Sequence, residues 1–158
     1  MMSLAVCWGR ESRKGETKPP EGVRFKQISA SLDDHNCGIE DSEEETQHGE
    51  NAGRIHCWGN DRLRQSTPPK GEFYSVTTGR SYSCGIQAPS REIQCWGKLR
   101  RFSSKERWSE ISAGHSTICG ITIDTNRVQC FQSVGMGKAQ YKDETSPLVP
   151  LIGSVSLS

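Results

Sequence analysis

Apolar residues in this chain come in short runs, and in run after run two of them stand two positions apart: Cys37 and Ile39, Ile55 and Cys57, Cys84 and Ile86, Ile93 and Cys95, Cys119 and Ile121, Val128 and Cys130. Residues two apart on a strand share a sheet face. Turn residues (Gly, Pro, Ser, Asp) separate the runs, so the pattern predicts an all-β chain. Strands are expected near residues 5–9, 25–30, 35–39, 54–58, 73–78, 82–87, 92–96, 108–113, 117–122 and 127–131.

The runs repeat. Residues 73–97, FYSVTTGRSYSCGIQAPSREIQCWG, recur before and after themselves. One cysteine series sits in CWG at Cys7, Cys57 and Cys95 and decays to CFQ at Cys130, with spacings of 50, 38 and 35 residues; a second sits in CGI at Cys37, Cys84 and Cys119. Periods of this size point to propellers, solenoids or arrays. Pairing each CGI strand with the following CWG strand places Cys37 opposite Cys57, Cys84 opposite Cys95 and Cys119 opposite Cys130. The same registers place Ile39 opposite Ile55, Ile86 opposite Ile93 and Ile121 opposite Val128. Each hairpin then carries a Cys/Ile ladder on one face and the tryptophan of CWG on the other, and burial of both faces by neighbouring blades accounts for apolar residues at both parities. Trp8, Trp58 and Trp96 are accordingly read as blade core, together with the six ladder aliphatics.

CGI, a hairpin and CWG, preceded by a PPxGxF stretch (Pro68, Pro69, Gly71, Phe73) and a short turn ending in glycine, resemble the regulator of chromosome condensation repeat superfamily, which includes beta-lactamase inhibitor protein II. The resemblance covers residues 6–132. It implies four-stranded antiparallel blades arranged as a propeller. The expected fold is therefore a partial β-propeller of about three blades, incomplete at both ends. Repeats are expected over residues 1–132, in units of about 7–57, 57–95 and 95–130, with 133–158 the degenerate start of a further repeat or a tail. On this reading the chain opens inside a blade, with residues 5–9 lacking a CGI partner, and closes on two strands within 146–158. Ser31 stands where the other units have Gly79 and Gly114, and a distorted turn is expected there because the glycine would supply a positive φ.

Composition narrows the function. With 32% hydrophobic residues, 25% charged, 16 Gly and 7 Pro, the 158-residue chain suits many short strands rather than one deep core. A net charge of +1 does not suit a surface that coats nucleic acid. The opening MMSLAV is too short for a signal peptide, which favours the cytoplasm; an extracellular location fits if the chain belongs to a longer protein. No membrane association is expected.

The six ladder cysteines leave two readings open, three disulfides or pairs of buried reduced thiols. Opposed cysteines about 4.5 Å apart at Cα meet disulfide geometry, and the missing leader favours thiols. Cys7 has no partner under either. Metal binding is not expected, since no CxxC pair exists. Nor is an enzyme, because the ladder accounts for every cysteine but Cys7, and GMG at 135–137 lacks the rest of a phosphate loop. No cofactor is expected. The polar insertion between Ile39 and Ile55 reads as a protruding hairpin tip.

What remains is a non-enzymatic protein–protein interaction module with an unidentified protein partner, able to associate with copies of itself through open blade faces. The alternative implied by the resemblance is a chromatin-binding or guanine-nucleotide-exchange role like that of the founding family member. The candidate contact is the basic segment 98–107, with Lys98, Arg100, Arg101, Lys105 and Arg107. Strand alternation puts loops after CWG and turns before CGI on one face, and hairpin tips with the PPxG turns on the other. Charges summed on that assignment give +6 on the first face and −6 on the second.

Overall fold

A computed structural model of the chain describes residues 4–9, 14–41, 51–133 and 139–142. These contain eleven strands: β1 (Phe25–Ala30), β2 (His35–Glu40), β3 (Ile55–Gly59), β4 (Phe73–Gly79), β5 (Tyr82–Gln87), β6 (Ile93–Gly97), β7 (Ser103–Ser104), β8 (Trp108–Ala113), β9 (Thr117–Thr122), β10 (Val128–Ser133) and β11 (Ala139–Lys142). They form three antiparallel sheets, β1-β2-β3, β4-β5-β6-β7 and β8-β9-β10-β11. The chain is all-β, three blades of a partial propeller.

The hairpin registers follow the cysteine spacing. Cys37 faces Cys57 and Ile39 faces Ile55; Cys84 faces Cys95 and Ile86 faces Ile93; Cys119 faces Cys130 and Ile121 faces Val128. All three cysteine pairs are disulfide-bonded, with Cα atoms 4.0, 4.0 and 4.1 Å apart.

Stacking is directional. The ladder of the first blade (Cys37, Ile39, Ile55) packs against Phe73, Val76 and Trp96 of the second. The ladder of the second (Cys84, Ile86, Ile93, Cys95) packs against Trp108, Ile111, Ala113 and Ile118 of the third, with Leu99 and Phe102 filling the join. Each blade thus presents disulfide and isoleucines forward and aromatic residues backward, which explains how both parities come to be apolar.

The glycine of CGI is needed for close approach. A Cβ at Gly38, Gly85 or Gly120 would lie 2.6 Å from a ring carbon of Phe25, Phe73 or Trp108 respectively. The innermost strand's aromatic ring therefore lies flat over the glycine of the strand beside it, within one blade. Hydrogen bonds then tie innermost strands of neighbouring blades. The Thr78 amide donates to Ser29 Oγ (3.0 Å) and the Ala113 amide to Thr77 Oγ1 (2.9 Å), so a hydroxyl on one blade caps an amide on the next.

Several expectations need correction. Residues 5–8 form no strand and only Leu4 makes an isolated bridge, to Arg24. Trp8 is 87% exposed rather than blade core, and among the described residues no CGI strand lies beside it. Val128 is 40% exposed and Ile121 is only partly buried, because among the described residues no following blade packs against the ladder of the third. Their counterparts Ile93 and Ile86 are buried between blades. β11 pairs with β10 and forms the outer edge of the third sheet. Gly79 does not have a positive φ; Ser81 (60°) and Asp34 (47°) take the left-handed turn position instead. A Cβ at Gly79 would collide with the Tyr82 ring, whereas the residue at Tyr82's position in the first blade is His35 and Ser31 is accommodated.

The base of the insertion after β2 packs against the sheets. Ala52 is fully buried, Gly53 pairs with Phe73, and Lys26 Nζ donates to the Ala52 carbonyl. Its acidic tip, residues 42–50, lies outside the described residues, as do the two strands expected within 146–158.

Candidate functional site

Propeller blades offer partners their loops, since loops alone escape the stacking of sheet on sheet. On one face of this stack the turns before CGI meet the loops after CWG. The Asn60 amide donates to the Asp34 carbonyl (2.7 Å), and the Lys98 amide to the Ser81 carbonyl (2.9 Å). The glycines of CWG make these approaches possible: Gly59 and Gly97 have φ of 101° and 79°, and a Cβ would strike Asp34 and Ser81 backbone oxygens.

The tryptophans of the second and third CWG, Trp58 and Trp96, fix the loops that enter their blades. Trp58 Nε1 donates to the Glu16 carbonyl (3.0 Å) and Trp96 Nε1 to the Gln65 carbonyl (2.9 Å), three residues before the first proline of each PP pair. In the third blade Phe131 replaces the tryptophan and packs on Phe102 (4.9 Å) and Trp108 (5.9 Å).

Behind this loop face lies a buried polar group that the repeat pattern did not single out. His35 is wholly inaccessible at the join of the first two blades. Its Nδ1 lies 3.2 Å from the Asp33 carbonyl and its Nε2 3.0 Å from Ser83 Oγ, whose own hydrogen is donated to the Gln65 carbonyl (3.1 Å). Burial pushes its pKa below the ordinary value, against the opposing pull of the Asp33 carbonyl and carboxylate. The only signal in the sequence was its place two positions before Cys37, where Tyr82 stands in the second unit.

Basic residues 98–107 are not one loop. Lys98, Arg100 and Arg101 lie in the turn between β6 and β7 on the loop face, anchored by the buried Leu99. β7 then carries the chain down the edge of the second blade, so Lys105 and Arg107 reach the opposite, hairpin-tip face. There Lys105 lies 3.8 Å from Glu92 and Arg107 lies 3.4 Å from Asp124. The expected five-residue basic contact is thus divided three and two. Two of its charges move to a face whose described loops carry both signs, including Arg54, Lys70, Glu72, Arg91, Glu92 and Asp124. The charge separation drawn from sequence is correspondingly reduced.

Between the second and third blades the loop face opens into a cleft of about 430 Å³ lined by Leu63, Arg80, Ser81, Tyr82, Lys98, His115 and Ser116. Arg80 Nη1 donates to His115 Nε2 (3.0 Å) across it, and the Tyr82 hydroxyl forms its floor, bonding to the Gly114 carbonyl (3.0 Å). Among the described residues no group of three or more His, Cys, Asp or Glu side chains is placed to hold a metal ion.

No known protein-family profile matches the chain. Solved structures do. The ectodomain of the Physcomitrella patens receptor kinase CR4 is 30% identical over 81% of this chain and 33% of its own, with a TM-score of 0.63. The CRINKLY WD40 ectodomain of the Arabidopsis thaliana receptor kinase ACR4 is 29% identical over 72% of this chain and 38% of its own, at 0.56. Prp20p of Saccharomyces cerevisiae, described by its binding to Gsp1p and histones, is 10% identical over 74% of this chain and 32% of its own, at 0.51, a likeness of fold alone. The chain spans about a third of the length of each of these proteins. Three sheets stacked ladder to aromatic face, and these likenesses, make the fold that of β-propeller blades.

Proposed function

We propose that the chain is a stretch of a non-enzymatic protein-binding propeller, built of regulator-of-chromosome-condensation-type repeats and working in an oxidising, extracellular setting. The observation that carries the reading is the 29–30% identity to two receptor kinase ectodomains. Three disulfide-bonded hairpins suit the same compartment. The loop face is the contact surface: its backbone is pinned by hydrogen bonds between turns and loops, while Lys98, Arg100 and Arg101 project from it. Rigid loops of this kind bind without a large ordering cost.

The role of the founding family member, on chromatin or in nucleotide exchange, is less well supported. Prp20p shares the fold at 10% identity, and the division of the basic segment removes a continuous strip for a phosphate backbone.

The test is capture from an extracellular protein pool by the oxidised chain and by two charge-reversal variants, one triple and one double. Lys98→Glu with Arg100→Glu and Arg101→Glu is expected to lose the captured species; Lys105→Glu with Arg107→Glu is expected to keep it. Equal loss from both, or a salt-dependent mobility shift on plain duplex DNA with no protein captured, contradicts the reading.

A further inference from the structure

Acidic and basic side chains on the loop face are treated differently by the fold. The acids are already satisfied: Asp33 accepts the Ser81 hydroxyl, Asp34 pairs with Lys14, and Asp61 accepts the Ser66 amide and the Thr67 hydroxyl. Four of the cations are not. Arg80, Lys98, Arg100 and Arg101 form no ion pair with any described carboxylate. Arg80 is instead oriented by His115, whose Nε2 accepts one guanidinium hydrogen and leaves the remaining donors of the fork unused by that bond.

This asymmetry is concentrated in the cleft between the second and third blades. Arg80 and Lys98 flank it, Ser116 adds a hydroxyl while that of Ser81 is held by Asp33, Leu63 gives one apolar wall, and no acidic residue lines it. We propose that the cleft binds the side-chain carboxylate of an acidic peptide segment, with Arg80 as the bidentate receptor and Lys98 as the second cation. A guanidinium fork matches a carboxylate in plane and spacing. The cleft has the volume of a small binding site, and its apolar wall suits the methylene groups of a glutamate side chain. Because Arg80 comes from the β4–β5 turn and His115 from the β8–β9 turn, the site exists only where two blades are stacked. The proposal rests on the loop face being the protein-contact surface.

The probe is a fluorescent hexaglutamate peptide, with hexaglutamine as its uncharged counterpart, titrated into the oxidised chain and followed by anisotropy. Hexaglutamate binds and hexaglutamine does not. Arg80→Ala weakens binding about tenfold or more, the scale of one lost charge-assisted pair. His115→Ala, which frees the guanidinium from its partner, also weakens it, whereas Lys105→Ala with Arg107→Ala on the opposite face leaves it unchanged. An Arg80→Ala variant of unaltered circular dichroism that binds as tightly as the parent overturns the proposal. So does equal weakening by the opposite-face pair, which signals diffuse charge. Displacement of the peptide by inorganic phosphate or sulfate at the peptide's own concentration also overturns it, because it marks a simple oxyanion site. Arg80-dependent peptide binding alongside unchanged protein capture by the Lys98, Arg100 and Arg101 reversals defeats the wider functional reading and spares the site; the converse defeats the site alone.

Discussion

Three aromatic rings resting on three glycines decide how closely the two inner strands of each blade approach. At Gly85 a Cβ would stand 2.6 Å from Phe73 and 3.2 Å from Ile55. Gly85→Ala is expected to cost about 1–3 kcal/mol through overpacking, measured by urea denaturation. Phe73→Leu should recover part of that cost, since the two sites are coupled through contact; strictly additive losses contradict the geometry. His35 supplies a pH dependence. Its folded pKa is lowered while its unfolded value is near 6.5, so the unfolded state binds the proton first as pH falls. Stability is therefore full above about pH 6.5 and declines below it. The urea midpoint should drop between pH 7.5 and pH 5.5 more for the parent than for His35→Gln, and an equal drop removes His35 from the account. Of these two features the first was half legible: CGI marked the strand, but only the placed ring shows that its glycine serves close approach. Ser31 misled for a related reason, because the turn's left-handed residue lies two positions beyond Gly79.

At the scale of strands, the hairpins were legible because cysteine and isoleucine two positions apart leave a single register that puts both on one face. The outer strands were not. β7 has two residues, Ser103 and Ser104, with no apolar pattern to mark it, and it is this strand that divides the basic segment between two faces. Residues 5–9 carried the CWG pattern yet formed no strand, since a strand's amides and carbonyls need a neighbour and pattern alone does not supply one. The disulfides act at this scale. Replacing Cys84 and Cys95 by alanine together should lower stability by about 2–4 kcal/mol and leave the far-ultraviolet spectrum β-like, because the isoleucines and the Phe73–Gly85 contact persist. A switch to a helical or unfolded spectrum contradicts that division of labour.

Across the whole stack, the two inner joins show what the two outer faces lack. Val76 and Ile111, which meet the ladder of the preceding blade, are 2% and 6% exposed, whereas Ile28 at the same position of the first blade is 48% exposed. At the other end the ladder of the third blade leaves Val128 open. These faces are complementary in kind, one ladder and one aromatic back, so copies of the chain are expected to associate head to tail as concentration rises. Ile28→Lys with Val128→Lys should shift the sedimentation coefficient to that of a monomer; a parent chain that sediments as a monomer at every concentration contradicts the expectation. Directional stacking also underlies every other statement about the molecule, since the loop face and its cleft exist only if the hairpins hold these registers. Peptide mapping of the chain without reduction reads those registers directly. The account predicts three linked pairs, Cys37 with Cys57, Cys84 with Cys95 and Cys119 with Cys130, and a free Cys7; any other pairing among the six contradicts it.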